Sequence, residues 1–158
     1  TQHLQLRTQR GGGGNVVRRV GAREDPEDQQ KWIELENAST ITAKKLLSQK
    51  DFEDYEAFSA FESNLIRKYW NEGVKTSKWE ITLFCVSPAT QGKGVGGMLF
   101  SYMLNFLKEQ GAEHYFLATD DDCDISFYQH KGLTCKDEAP VKANGQDFGF
   151  AYIYAGDL

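Results

Sequence analysis

The sequence predicts an α/β fold in the α+β sense, a mixed sheet with helices packed on it. Three observations carry this. Residues 79–155 run strand, helix, strand, short helix, strand, strand. Residues 25–73 are patterned as helix throughout. A glycine-rich turn joins the first strong strand to its helix. At 158 residues the chain suits one domain with its own core.

Residues 1–23 hold five Arg and no acid, beside Gly11-Gly12-Gly13-Gly14. They read as a weakly structured basic arm, with faint strand signals at Leu4, Leu6 and at Val16, Val17. Residues 24–158 read as the domain. Asp25-Pro26-Glu27-Asp28 is a helix start, with a cap acceptor, Pro at the first position and acids in the first turn. Trp32, Ile33 and Leu35 would be its apolar side, and a second short helix is expected from about residue 40 to 47. A third begins near Asp51. Its Phe52, Tyr55, Phe58, Phe61, Leu65 and Tyr69 recur every three or four residues, a stripe expected to pack into the core. Asn71-Glu72-Gly73 is its stop signal.

The second half is apolar. Residues 79–86 read as a buried strand and 87–94 as a loop. Residues 95–109 are an amphipathic helix with Val95, Met98, Leu99, Tyr102, Met103, Phe106 and Leu107 inward. Residues 114–119 and 133–135 are strands, 124–130 a short helix, and 148–155 an aromatic strand long enough to be central.

Composition excludes several classes. No apolar run is long enough to cross a bilayer, and no membrane partner is expected. Outside the basic arm the net charge is −10, which repels nucleic acid and attracts small cations and amines. The three cysteines, Cys85, Cys123 and Cys135, are too few and too scattered for a disulfide framework or a zinc site. No metal is expected, Cys85 is expected to be a buried small hydrophobe, and the expected compartment is the reducing cytoplasm.

The informative segment is Ser87-Pro88-Ala89-Thr90-Gln91-Gly92-Lys93-Gly94-Val95-Gly96-Gly97. Its glycines let the backbone turn sharply and approach a ligand with no Cβ in the way. The helix that follows leaves its first amides unpaired, so loop and helix start together form an anion site. Lys93 adds positive charge. A plain strand-to-helix turn is the alternative, but it would be shorter and need fewer glycines. The Walker pattern is absent. The dinucleotide pattern is formally present as Gly92, Gly94 and Gly97 with Asp120 downstream. Five residues separate strand from first glycine, however, and little chain remains for a second nucleotide-binding half.

Gln91-Gly92-Lys93-Gly94-Val95-Gly96 resembles the pyrophosphate loop of the GNAT superfamily of acetyl-CoA-dependent N-acetyltransferases. Phe127-Tyr128-Gln129-His130-Lys131-Gly132-Leu133 is similar to the family's second motif, in the right order and at the right separation. The resemblance covers residues 79–155. It implies an acyl-CoA N-acyltransferase fold with acetyl-CoA as co-substrate. The pyrophosphate would lie on the amides of Gln91, Gly92, Lys93, Gly94, Val95, Gly96 and Gly97, and the pantetheine arm against the strand at Phe84, Cys85 and Val86. Asp121 stands where many members have an Asn that touches pantetheine. Tyr128 matches the tyrosine beside the coenzyme sulfur; packing of the short helix is the alternative. Glu80 matches the general base of the histone-acetylating branch; a solvent-facing strand acid is the alternative. The implied reaction is direct transfer to a primary amine of a small molecule or peptide, of cationic character, without an acetyl-enzyme. A CoA-binding module without turnover and a dinucleotide oxidoreductase are the rival readings. The oligomeric state is left open, a homodimer included. Upstream, the family's first strands look reduced or missing, and the helical segment before the motif strand is similar to that of fungal-type small-molecule acetyltransferases.

Overall fold

A computed structural model describes residues 2–7, 13–19, 26–71 and 79–158. The Gly11-Gly12 half of the glycine run, the cap at Asp25 and the stop at Glu72-Gly73 lie outside the described residues. The elements are β1 (Gln2–Arg7), β2 (Gly13–Arg19), α1 (Pro26–Leu46), α2 (Gln49–Asn71), β3 (Trp79–Val86), α3 (Val95–Glu109), β4 (His114–Asp120), α4 (Ile125–His130), β5 (Thr134–Ala143) and β6 (Gln146–Asp157). The six strands form one mixed sheet in the order β1-β2-β3-β4-β6-β5. Among the described strands only β3 and β4 pair in parallel. This is not the mostly parallel, doubly wound sheet of a dinucleotide fold.

The two faint N-terminal signals are strands of this sheet, and β2 is paired with β3 from Trp79 to Val86. The two helices expected between 25 and 47 are one, α1, because no Gly or Pro interrupts residues 27–46. Thr42 returns its hydroxyl to the Ala38 carbonyl at 2.9 Å, a bond that fits within a continuing helix. Ile33 and Leu35 are 44% and 58% exposed, so neither contributes the expected apolar side of α1, while the Trp32 side chain lies outside the described residues. Residues two apart on a helix point in different directions and cannot share a face.

Two cores lie on opposite sides of the sheet. On one, α2 sets Leu65 and Tyr69 against Phe116, Val141, Ala151 and Ile153. Its stripe packs as expected except for Tyr55, which is exposed. Lys68 bonds Asp137 on β5 at 2.9 Å, and Asn144 bonds Asp54 at 3.0 Å, pinning α2 along this face. On the other face, α3 and α4 cover Trp79, Ile81, Tyr115, Leu117 and Tyr154. Here Phe100, Met103 and Leu107 are almost fully buried, each contributing about 1.5–3 kcal/mol by leaving water. Phe100 takes a place expected for Met98 and Tyr102, which are exposed. Strand β6, expected from its aromatic run to be central, is an interior strand between β4 and the edge strand β5. Strand β5 extends to Ala143, well beyond the expected 133–135. The overlooked signal is Asn144-Gly145, both at positive φ, the two-residue turn that closes β5 onto β6.

Candidate active site

The site begins with a split in the sheet. Strands β3 and β4 are paired only from Trp79↔Tyr115 to Ile81↔Leu117. Beyond that they part, although β3 runs on to Val86 and β4 to Asp120. A bulge stands at the parting point: Val17 pairs with Ile81 and Val16 with Leu83, so Thr82 is the extra residue. A bulge bends its strand and inverts the side-chain alternation that follows. Phe84 and Val86 therefore join Ile81 on the α3 side, while Leu83 and Cys85 turn to the other face and are exposed. The expectation of a buried Cys85 is thus corrected, and the bulge is the reason.

From Val86 the chain passes through one turn of 3-10 helix, Pro88–Thr90, closed by the Thr90 hydroxyl on the Ser87 carbonyl at 2.8 Å. Gly92 and Gly94 follow at φ +72° and +75°, a region that a side chain disfavours. Gly94 caps α3 with no side-chain hydrogen bond, so no cap group competes for the first amides of the helix. A Cβ at Gly96 would come within 3.5 Å of Val86 Cγ2 and 3.7 Å of Phe127 Cε2. The helix start is thereby drawn close to β3 and α4. The result is a cleft of about 730 Å³ bounded by Phe84, Val86, the 90–97 turn and, on α4, Phe127 and Tyr128. Phe127 stacks on Phe84 at 5.4 Å between ring centroids, and both rings line the cleft.

The structure gathers most of the expected residues. Phe84, Val86, Gln91, Gly92, Gly94, Val95, Gly96, Gly97 and Tyr128 all border this one cleft. Cys85 is not in its lining. Lys93 is not in its lining, and its ammonium donates to the Ala89 carbonyl at 2.8 Å. The cation over the helix start is instead Lys131, whose Nζ would lie 3.4 Å from a Cβ at Gly97 and which sits over the Phe127 ring. Asp121 is also outside the lining: it accepts the Phe150 amide and the Tyr152 hydroxyl, each at 2.7 Å. Asp124 caps α4 by accepting from the Phe127 amide.

Tyr128 is 8% exposed. Burial, with added repulsion from Cys123, Asp124 and Asp120, pushes its phenol up to about 12. It therefore keeps its proton at neutral pH and is a donor. Glu80 is 4% exposed and stands on the opposite face, under α2. The expected base and the expected tyrosine thus flank the split from its two sides.

Glu62 on α2 escaped the sequence reading. It is half-buried, and its carboxyl is pushed up chiefly by burial, then by Asp120 and Glu80. The available signal was an acid inside the apolar stripe, at the fourth place after Phe58 and three before Leu65. A carboxyl raised in the folded state favours folding while protonated. That contribution is full below the unfolded value near 4.5 and is lost as pH rises through the folded one. Glu62→Gln should accordingly raise Tm by roughly 1–3 °C at pH 7–8 and have little effect below pH 4, as a pH series of thermal melts would show.

Among the described residues no group of three or more His, Cys, Asp or Glu is arranged to hold a metal, and no helix is long and apolar enough to cross a membrane.

Comparison with known proteins agrees with this geometry. Residues 22–133 match the acetyltransferase (GNAT) family. A stretch of 64 residues is 38% identical to an uncharacterized N-acetyltransferase, ycf52-like, of Prochlorococcus marinus. That match spans 40% of this chain and only 33% of the relative. The fold resembles mosquito arylalkylamine N-acetyltransferase like 5b, with a TM-score of 0.55, 12% identity, and coverage of 93% of this chain and 68% of that one. It also resembles an acetyltransferase from Bacillus cereus, with a TM-score of 0.53, 11% identity, and coverage of 99% and 74%. With the family matched over most of its length, and the split sheet and glycine-lined helix start in place, this chain belongs to the GNAT acetyltransferase family.

Proposed function

We propose that the protein transfers an acetyl group directly from acetyl-CoA to a primary amine of a small molecule or peptide. The observation that carries this reading is the cleft, in which a glycine-rich helix start opens onto a parted pair of strands. Acetyl-CoA would supply the acetyl group as an activated thioester. The residues present suit it. Gly92, Gly94, Gly96 and Gly97 put no Cβ over the amides of the turn and helix start, and Lys131 adds a positive charge there. The β3 main chain beyond Ile81 has no β4 partner, which leaves an edge for the amides of a pantetheine arm.

Two of the chain's own groups have chemical parts. Glu80 is the proposed base: a buried carboxylate under the split takes a proton from the incoming ammonium, directly or through water, and leaves an amine that can attack. Tyr128 faces the departing sulfur. Its phenol, near 12, is a much weaker acid than a thiol of about 8.5, so outright proton transfer is uphill. Its part is a hydrogen bond that strengthens as negative charge gathers on sulfur. Tyr128→Phe should lower kcat by about 10–100-fold with KM for acetyl-CoA within about threefold, measured by steady-state thiol release.

The acidic body and the Glu62, Glu80, Asp120 group favour a cationic acceptor. A panel of polyamines, aminoglycoside-like amines, arylalkylamines and lysine peptides, assayed with acetyl-CoA for free thiol, tests the reading. Acetylation of at least one amine is expected. Binding of CoA with no thiol release from any amine would make the chain a binding module and end the proposal of turnover.

A further inference from the structure

The split leaves one hydroxyl buried without a partner. Thr119 lies on β4 two residues past Leu117, the last position paired with β3. Side chains alternate along a strand, so Thr119 points to the same face as Tyr115 and Leu117, the face under α3 and α4. Its partner across to β6 is Tyr152, and its diagonal neighbour on that strand is Tyr154, whose ring packs beside Tyr128 at 6.2 Å. Thr119 is only 3% exposed, and its Oγ1 finds no hydrogen-bond partner among the described residues. Valine has the same shape and would fill this place without the penalty of an unsatisfied hydroxyl. Close by, the Tyr154 hydroxyl is satisfied by the Gln129 amide at 3.2 Å, so the polar groups of this layer are not neglected in general. A buried polar atom that the free fold leaves unmatched calls for an explanation, and a missing ligand group is one.

We propose that the Thr119 hydroxyl binds the pantetheine arm of the acyl donor, completing its hydrogen bonding with an amide or carbonyl of the arm as the arm enters between β3 and β4. The proposal rests on the reading of the cleft as an acyl-CoA site. Phe84 and Val86 form the β3 wall of that cleft and Tyr128 its far side. Thr119 is outside the lining of the cleft in the free fold. It stands two residues past the last β3–β4 pair, on the face of Tyr128, so an arm reaches its hydroxyl only by wedging into the split. An arm running from the glycine-lined turn toward the split would meet a hydroxyl from β4 there, opposite the main chain of β3. The thioester would then be held between two strands rather than against one, within reach of Tyr128.

The test uses Thr119→Val, which keeps the shape and removes the hydroxyl, and Thr119→Ser, which keeps the hydroxyl. Affinity for CoA and for acetyl-CoA is measured by titration calorimetry, and unliganded stability by thermal melting. The valine variant should bind both ligands roughly three- to tenfold more weakly, the usual worth of one hydrogen bond. Its unliganded Tm should equal or exceed that of the wild type, because an orphan hydroxyl has been removed. The serine variant should bind within about twofold of the wild type, that is, within a fraction of one hydrogen bond. Unchanged affinity in the valine variant overturns the proposal. So does a lower unliganded Tm at unchanged affinity, which would give the hydroxyl a water or protein partner. A loss of affinity that serine fails to restore overturns it as well. Absence of CoA binding by the wild type sinks the reading of the cleft along with it, whereas wild-type binding matched by the valine variant sinks this proposal alone.

Discussion

On the proposed reading CoA should stabilise the wild type, and a Gly94→Val variant should lose that stabilisation, with affinity reduced at least about 100-fold. The physical basis is the loss of several amide-to-phosphate hydrogen bonds at once, each worth roughly 1.5–3 kcal/mol, against 1.4 kcal/mol for each factor of ten. Gly94 has φ +75° and ψ 1°, and it caps α3 at the border of the cleft. A Cβ there would touch nothing within 4 Å in the free protein. The side chain would therefore fit the empty fold but stand over the amides that face the ligand. A β-branched residue at positive φ also costs about 1–2 kcal/mol of stability. Gly111→Val separates the two effects. Gly111 has φ +72° and equally open surroundings, yet it lies at the far end of α3, away from the cleft. Both variants should melt a few degrees lower than the wild type. Only the Gly94 variant should lose CoA binding by calorimetry. Equal CoA affinity in the two would remove the 91–97 turn from the phosphate seat.

Glu80→Gln should reduce kcat by about 100–1,000-fold while leaving the affinity for acetyl-CoA within about twofold. The replacement keeps size and most hydrogen-bonding capacity, so the comparison isolates the charge. Glu80 lies on the α2 face, outside the lining of the cleft, which is why binding of the acyl donor should be spared. A second consequence follows from its neighbours. Glu80 is one of the two charges that raise the Glu62 carboxyl, so neutralising it should bring Glu62 back toward its ordinary value. An unchanged rate would exclude Glu80 as the base, and the acid nearest to hand would then be Glu62.

Much of this was written in the local sequence. The strand at 79–86, the helix at 95–109 and the strand at 114–120 each announce themselves by an apolar run of the right period and length. The glycine turn is legible because its chemistry is main-chain chemistry: successive glycines before a helix mean exposed amides whatever surrounds them. Tyr128 could be placed because α4 is short, capped by Asp124 and set at a fixed distance from that turn.

Side-chain direction was less legible, because it depends on partners far away in the chain. The bulge at Thr82 exists only in the pairing of β3 with β2, and it alone decides that Phe84 and Val86 face the cleft while Cys85 does not. Lys93 and Lys131 illustrate the same limit. Both are basic, but a carbonyl one turn back holds the first, and the fold carries the second over the helix start. Asp121 likewise engages β6, a strand some thirty residues on.

What the sequence determined by itself, then, was the order of elements from residue 79 on and the glycine turn before α3, since both arise from backbone preferences within a few neighbouring residues. The tertiary structure decided the parting of β3 from β4, the approach of Glu62 to Glu80 and Asp120, and the stranding of the Thr119 hydroxyl. These depend on strand register and on which helix covers which face, and such contacts between distant segments leave no local mark on the residues that make them.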